Sequence, residues 1–328
     1  MQTPWGRLPI ADSHVHFFSR DFFRELARHT PTPVEGEAHE VLPARLGWTP
    51  PGEPEDLAAD WITEMDKHGV HQASLIASVP GDEASVQQAV AHHPDRFFGY
   101  FMLNPAAPGA AARAESALQS GMHGVCLFPA MHRFSVADES VETLLQVVAG
   151  HPRAIVFVHC GVLSVGVRKK LGLPSLFDMR YSNPIDLHPV ALRHPRIVFV
   201  LPHFGAGFFR EALMLCDLCP NVYLDTSSSN SWMKYHAPEL DLRTVFRRAI
   251  DVAGHRRLLF GSDSSFFPRG WHSQILEAQA TALYELGLSE HDAALVLGGN
   301  LVRLLSRDER HDHEHHSESN FHSGHGVS

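Results

Sequence analysis

Residues 8–16 read LPIADSHVH, an apolar run that closes on Asp12, His14 and His16. In a strand, side chains at i and i+2 point to the same face. That periodicity predicts Asp12, His14 and His16 on one side, with Ser13 and Val15 on the other. Two imidazoles converging at a strand end suit a divalent metal such as zinc. Taken alone, the pair is equally compatible with two partly exposed histidines.

Seven further runs resemble this one: residues 71–79, 97–103, 124–128, 154–159, 197–203, 221–226 and 258–263. They are rich in Val, Ile, Leu and Phe and bounded by turn residues, as buried parallel strands are. Helical signals fill the gaps at 54–68, 82–93, 110–119, 139–149, 184–193, 208–219, 240–252 and 273–286. In the first of these, Leu57, Trp61 and Met65 recur at i, i+4 and i+8, and Gly69 supplies a stop. Eight strands alternating with eight helices predict an α/β fold, a (β/α)8 TIM barrel, which typically takes about 250 residues.

An open doubly wound sheet has the same rhythm. The polar residues favour the barrel. His159, His203, Asp225 and Asp263 fall at the carboxyl ends of different strands, as does the first histidine pair, and barrel enzymes gather their catalytic groups there. No GxGxxG or Walker A sequence follows the first strand, so nothing points to a nucleotide. Residues 17–53 hold Pro31, Pro33, Pro43, Pro50 and Pro51, with Pro54 at the edge. This stretch exceeds an ordinary βα loop and reads as a lid-like insertion after strand 1 on the catalytic face. The barrel is expected over residues 1–307. The His-rich tail, 308–328, has too few apolar residues to pack and is expected to be disordered.

Composition narrows the function. The chain has 328 residues, 44% apolar and 20% charged, which excludes a fibrous or disordered protein. Lys and Arg number 27 against 37 Asp and Glu, a net charge of −10. That balance opposes a nucleic-acid or anionic-membrane footprint. No apolar stretch approaches the roughly 20 residues of a membrane span, and no signal-peptide pattern opens the sequence, so a cytoplasmic location is expected. A small-molecule substrate is the expected partner, and homo-oligomer formation stays open. Four cysteines make no disulfide framework, and Cys216 and Cys219 form a CxxC without a second pair.

Together DSHVH (12–16), VHCG (158–161), PHFGAG (202–207), NVYLDTS (221–227), FGSDSSF (260–266) and GGNLVRLL (298–305) resemble the amidohydrolase superfamily. The likeness is to the amidohydrolase-related branch that includes aminocarboxymuconate semialdehyde decarboxylase. It implies a metal-dependent barrel in which His14, His16, His159 and Asp263 bind one divalent ion, zinc first, with Mn2+ or Fe2+ as alternatives. It assigns His203 to the water or substrate rather than to the metal. Binuclear members often carry a fourth-strand lysine that bridges two metals. Cys126 stands at that place here and cannot form the carbamate, which favours a single metal; as a thiolate it could still ligate, though a packed small side chain is the simpler reading.

These residues predict hydrolysis by a metal-activated water, with Asp263 and His203 as the catalytic pair. The substrate is expected to be small and carboxylate-bearing or cyclic. Non-oxidative decarboxylation of an unsaturated or aromatic carboxylate is the alternative, and a non-catalytic metal-stabilised scaffold a third. Arg45, Arg133, Lys169, Arg180 and Arg269 are candidate carboxylate-binding cations. Trp48, Phe128, Trp232, Phe266 and Trp271 are candidate pocket walls. Asp12 and Asp225 are candidate partners for a ligand histidine or buried structural carboxylates, and Asn300 is expected to brace the closing helix.

Overall fold

The computed structural model describes residues 2–306 apart from 228, 229 and 239; residue 307 and the tail 308–328 fall outside the described residues. Eight strands form one parallel sheet in sequence order: β1 (Ile10–Phe17), β2 (Val70–Ala77), β3 (Phe97–Leu103), β4 (Gly124–Leu127), β5 (Ile155–Val158), β6 (Val198–Leu201), β7 (Val222–Asp225) and β8 (Leu258–Leu259). The sheet closes where the chain beyond β8 meets β1. Ser13 N donates to Phe260 O at 2.7 Å, Asp263 N to His14 O at 3.0 Å and His16 N to Ser264 O at 2.7 Å. The fold is therefore the (β/α)8 barrel that the sequence predicts.

Alternation along the strands builds two apolar layers. Ile76, Tyr100, Cys126, Phe157, Val200 and Leu259 fill the barrel interior. Leu75, Phe101, Val125, Val156, Phe199 and Leu224 face outward and pack on Leu57, Trp61, Met65, Leu144 and Leu215 of the helices. The predicted helices form at Pro54–His68, Glu83–His92, Ala110–Gln119, Glu139–Ala149, Phe209–Leu218, Leu242–Ala253 and Ser273–Glu285. The segment 184–193 divides into a 3-10 turn, Pro184–Leu187, and a short helix, His188–Arg193. Asn300 braces the closing helix: its Nδ2 donates to His255 O at 2.8 Å and Leu258 O at 2.9 Å.

β1 departs from strict alternation. Asp12 pairs with Ala73 and Val15 with Leu75, so three steps on β1 span two on β2. This bulge turns the side chains by one position. Ala11 packs in the interior, Ser13 Oγ donates to the interior Asp225, and His14 stacks edge-on against Phe157 at 5.2 Å. Asp12 instead meets Trp271 Nε1 at 2.7 Å and the amides of His14 and Ser262. The predicted shared face of Asp12, His14 and His16 is thus corrected: Ser13 replaces Asp12 on it.

Residues 17–53 contain helices Arg20–Ala27 and Ala38–Leu46, which the proline content had not suggested. Phe22, Phe23, Leu26, Leu42 and Trp48 pack with Val167 and Leu173 from the stretch after β5. Ser19 caps the first helix and donates from Oγ to the buried Asp82 at 2.6 Å, and Ser85 Oγ donates to the same carboxylate. Burial raises the Asp82 pKa from 3.8 to about 6, against the pull of the two hydroxyls. Between these values the folded chain holds a proton that the unfolded chain has released, so stability is greater below the window and falls as pH rises through it. Chemical denaturation of wild type and Asp82→Asn should show the wild type losing about 2 kcal/mol relative to the variant between pH 4 and pH 7. A constant difference would contradict this linkage.

Candidate metal centre

The carboxyl ends of the strands meet over the interior layer. His14 and His16 come from the end of β1, His159 follows β5, His203 lies in the turn Pro202–Gly205 after β6, and Asp263 follows β8. His203 and Asp263 have φ of 54° and 59°, and Phe204 and Ala206 are also left-handed. Such backbone costs of order 1–3 kcal/mol per residue and persists where the surroundings hold it. Gly161 permits the same crowding from the other side, since a Cβ there would lie 2.3 Å from the carbonyl oxygens of Gly205 and Ala206.

His14 Nε2 and His16 Nε2 are 3.4 Å apart, and Asp263 Oδ1 is 3.7 Å and 3.2 Å from them. Hydrogen bonds on the far side of each ring fix which nitrogen is basic. Ser78 Oγ donates to Ile76 O at 2.9 Å, so it accepts from His16 Nδ1 at 2.8 Å. Ser227 Oγ donates to Asp225 Oδ1 and has two lone pairs left, which accept from His14 Nδ1 at 2.9 Å and His203 Nδ1 at 3.0 Å. His203 Nδ1 also lies 2.9 Å from Ser227 O, an acceptor only. The Nε2 atoms of all three rings are thereby left as lone pairs.

Electrostatics favour the neutral ring at His16, His203 and His159 and run the other way at His14. Burial lowers the pKa of His16 and His203, and lowers that of His159 far below its ordinary value. Burial also works against charge on His14, but Asp225, Asp263 and Asp12 outweigh it and raise the net value. Burial pushes Asp263 up, yet the close approach of His16, and then of His14 and His203, holds it below the usual carboxylate range. Asp225 follows the same balance, with His14 first among its partners.

Two imidazole lone pairs and a carboxylate oxygen facing one another need a cation. A tetrahedral ion bound at about 2.0–2.1 Å spaces its ligands roughly 3.3–3.4 Å apart, close to the separations here. His14, His16 and Asp263 are also a group whose ligand atoms lie within 4.8 Å of one another. His159 is 5% exposed, stacks on Phe128 and has a buried Nδ1 without a hydrogen-bond partner among the described residues. Its ring centroid is 5.4 Å from that of His203, on the wall of the same cavity. The donor set fits a divalent ion.

The cavity has a volume of about 930 Å³. Its walls include Trp48, Phe128, Phe266, Arg133 and Arg269 from the sequence candidates. Arg45, Lys169, Arg180, Trp232 and Trp271 are not on them. Arg180 is exposed and paired with Asp178, Trp232 packs on Phe209, and Trp271 holds Asp12. Sequence reasoning missed Ser78, Ser227, Arg168 and Lys170. Ser78 and Ser227 carried a usable signal, lying just past strand ends like the candidate ligands. Cys126 is buried in the barrel interior, where burial drives its thiol pKa upward, and no thiolate stands in for the missing lysine. Cys216 and Cys219 are buried free thiols.

The amidohydrolase family profile matches residues 11–307. This chain belongs to the amidohydrolase family. It is an amidohydrolase-related enzyme, and solved structures share its fold. An uncharacterised TIM-barrel protein from Bordetella bronchiseptica has 20% identity and a TM-score of 0.61, covering 91% of this chain and 98% of that one. A probable 2-pyrone-4,6-dicarboxylic acid hydrolase from Acinetobacter baumannii, with citric acid bound, has 17% identity and a TM-score of 0.57 over 91% and 99%. An amidohydrolase from Burkholderia multivorans with bound zinc has 15% identity and a TM-score of 0.57 over 90% and 99%. Protein fluG of Emericella nidulans is 33% identical over 87 residues, 26% of this chain but only a tenth of that protein. No described helix of this amidohydrolase is long and apolar enough to cross a membrane.

Ser227 orients two histidines at once through a single hydroxyl. Ser227→Ala should weaken zinc binding about 10- to 100-fold, read by competition with a chromophoric chelator. Unchanged affinity would mean that packing alone sets the His14 ring.

Proposed function

We propose that this amidohydrolase is a metal-dependent hydrolase of a small, flat, carboxylate-bearing substrate. His14, His16, His159 and Asp263 hold one divalent ion, zinc first, with Mn2+ and Fe2+ as alternatives. The observation that carries this is the 3.2–3.7 Å spacing of a carboxylate oxygen and two imidazole Nε2 atoms, on rings whose Nδ1 atoms are held by serine hydroxyls. The zinc in the Burkholderia multivorans structure and the dicarboxylic acid named for the Acinetobacter baumannii protein support the metal and the substrate class.

When bound, such an ion acts as a Lewis acid and brings the pKa of a bound water to about 7. The chain's own residues do the rest. Asp263 turns Oδ1 toward His14 and His16, so Oδ2 is the oxygen that takes the proton of the attacking water. Its depressed pKa keeps it an anion until that moment. His203, with its proton fixed on Nδ1, presents a neutral Nε2 to orient the water or accept a hydrogen bond from it. Arg269 donates to Asp263 O at 3.2 Å and Ser265 Oγ at 3.0 Å, and lies over Phe266 at 4.5 Å. It is the cation placed to hold the substrate carboxylate against the centre. Phe128, Trp48 and Phe266 offer flat apolar walls and exclude water from the reacting bond.

The second reading, non-oxidative decarboxylation, draws on the same Arg269 and aromatic walls. It requires a proton delivered to carbon, and release of carbon dioxide would identify it. For either reaction, the double variant His14→Ala/His16→Ala should lose bound metal by elemental analysis. His203→Ala should keep its metal while turnover falls about 10²- to 10⁴-fold. Metal loss in the His203 variant would instead make it a ligand.

A further inference from the structure

The cavity is large for a single small substrate group, and its charge is lopsided. Its volume of about 930 Å³ is near the top of the range for small-molecule pockets, roughly 300–1,000 Å³. Four cations line it: Arg133, Arg168, Lys170 and Arg269. The acids on its wall are Asp263, which belongs to the centre, and Glu25, which Arg28 and His29 already partner. With Arg269 committed to the centre, three cations remain on the loops after β4 and β5.

Two of these are fixed in place by backbone carbonyls. Arg133 Nη2 donates to Leu176 O at 2.8 Å, and Arg168 donates through Nε and Nη2 to Pro174 O at 3.2 and 2.7 Å. Carbonyls two residues apart lie within roughly 7 Å of each other, so both guanidinium groups dock on one short strip of chain. Each keeps N–H groups with no protein acceptor among the described residues, out of five on each guanidinium. Lys170 has no hydrogen bond or ion pair among the described residues. Its ammonium lies 5.4 Å from the Trp48 ring and 5.5 Å from Phe266, between the mouth and the aromatic wall.

We propose that Arg133, Arg168 and Lys170 form a second anion subsite at the cavity mouth, which makes the preferred substrate an elongated dianion. This rests on the proposed function for the near end. One carboxylate meets Arg269 beside the metal ligands. The other, across a flat ring or chain, docks on the two anchored guanidinium groups, and the flexible lysine closes on it. Pre-anchored arginines lose little freedom on binding, and an anion relieves the repulsion among three cations whose one acidic neighbour, Asp178 beside Arg133, is already paired with Arg180.

The test compares benzene-1,4-dicarboxylate with 4-methylbenzoate, the same ring bearing a methyl in place of the second carboxylate, on the zinc-loaded full chain. Calorimetry, with quenching of Trp48 fluorescence as a second readout, should show the dicarboxylate binding about tenfold tighter or better at low ionic strength. That advantage should shrink as salt rises toward about 1 M, where screening acts within about 3 Å. In Arg168→Gln/Lys170→Met, the preference should fall to about threefold or less while 4-methylbenzoate affinity stays within about twofold of wild type. Both substitutions are on the short helix Gly166–Lys170 outside the barrel, and thermal unfolding checks that the fold is kept. Equal affinity for the two probes, absence of binding by both, or a preference that survives the double substitution would overturn the subsite. Metal retained in His14→Ala/His16→Ala would refute the hydrolase reading while leaving a measured dicarboxylate preference standing, so the two failures separate.

Discussion

The contact on which the site depends is the closure of the barrel between β1 and the chain beyond β8. Three backbone hydrogen bonds, from Ser13 to Phe260, Asp263 to His14 and His16 to Ser264, join segments almost the whole chain apart. They bring a carboxylate from one end of the sequence within 3.2 Å of an imidazole from the other. The approach is close enough that residue 261 must be glycine: a Cβ there would sit 2.7 Å from Asp225 Oδ2 and 3.0 Å from His14 Cβ. The same junction forces Asp263 into left-handed backbone, so the strain is held by the closure and spent on aiming one carboxylate.

Hydroxyl groups beneath the centre decide its chemistry. An imidazole can present either nitrogen, and only a fixed hydrogen bond on the far side makes the choice. Ser78 settles it for His16 and Ser227 for both His14 and His203, because each hydroxyl spends its single proton elsewhere. Asp225 accepts hydrogen bonds from Ser227 and Ser13 and is held below the usual carboxylate range in a fully buried place, with His14 first among its partners. Binding groups and proton-handling groups therefore share one buried network. A change at Ser227 should disturb both functions, unlike a change at Ser78, which reaches His16 alone.

How much of this the sequence carried depends on the physical signal involved. Buried parallel strands are short apolar runs, so all eight were visible, as were the polar residues that break them at His159, His203 and Asp263. The site was legible because barrel chemistry collects at those ends. The β1 bulge was not legible, since a period-two rule has no means of seeing an extra residue, and Asp12 was placed on the wrong face for that reason. Ser227 lies in the run TSSSN (226–230), where composition says only that a loop follows β7. Its importance comes from two histidines that arrive from other strands. The sequence singles out Lys169 while its neighbours Arg168 and Lys170 line the cavity, because nothing local reports how the chain after β5 folds back over it.

The division between floor and wall has a functional consequence. The floor is set by strands whose register and closure allow little variation, and it carries the ligands. The wall is set by the 17–53 insertion and the loops after β4, β5 and β8, joined by stacked rings: Phe22 on Phe18 at 4.0 Å, Phe18 beside Trp48 at 6.1 Å, and Trp48 on Phe266 at 4.0 Å. Arg269 and Lys170 both rest on Phe266, and Phe18 lies 5.6 Å from His16. The insertion, the cavity-lining Arg269 and Lys170, and the candidate ligand His16 are thus parts of one packed assembly rather than independent loops. A substitution that shifts Trp48 would therefore reach Arg269 and Lys170 through Phe266 and His16 through Phe18, so under the proposed function wall and centre change together.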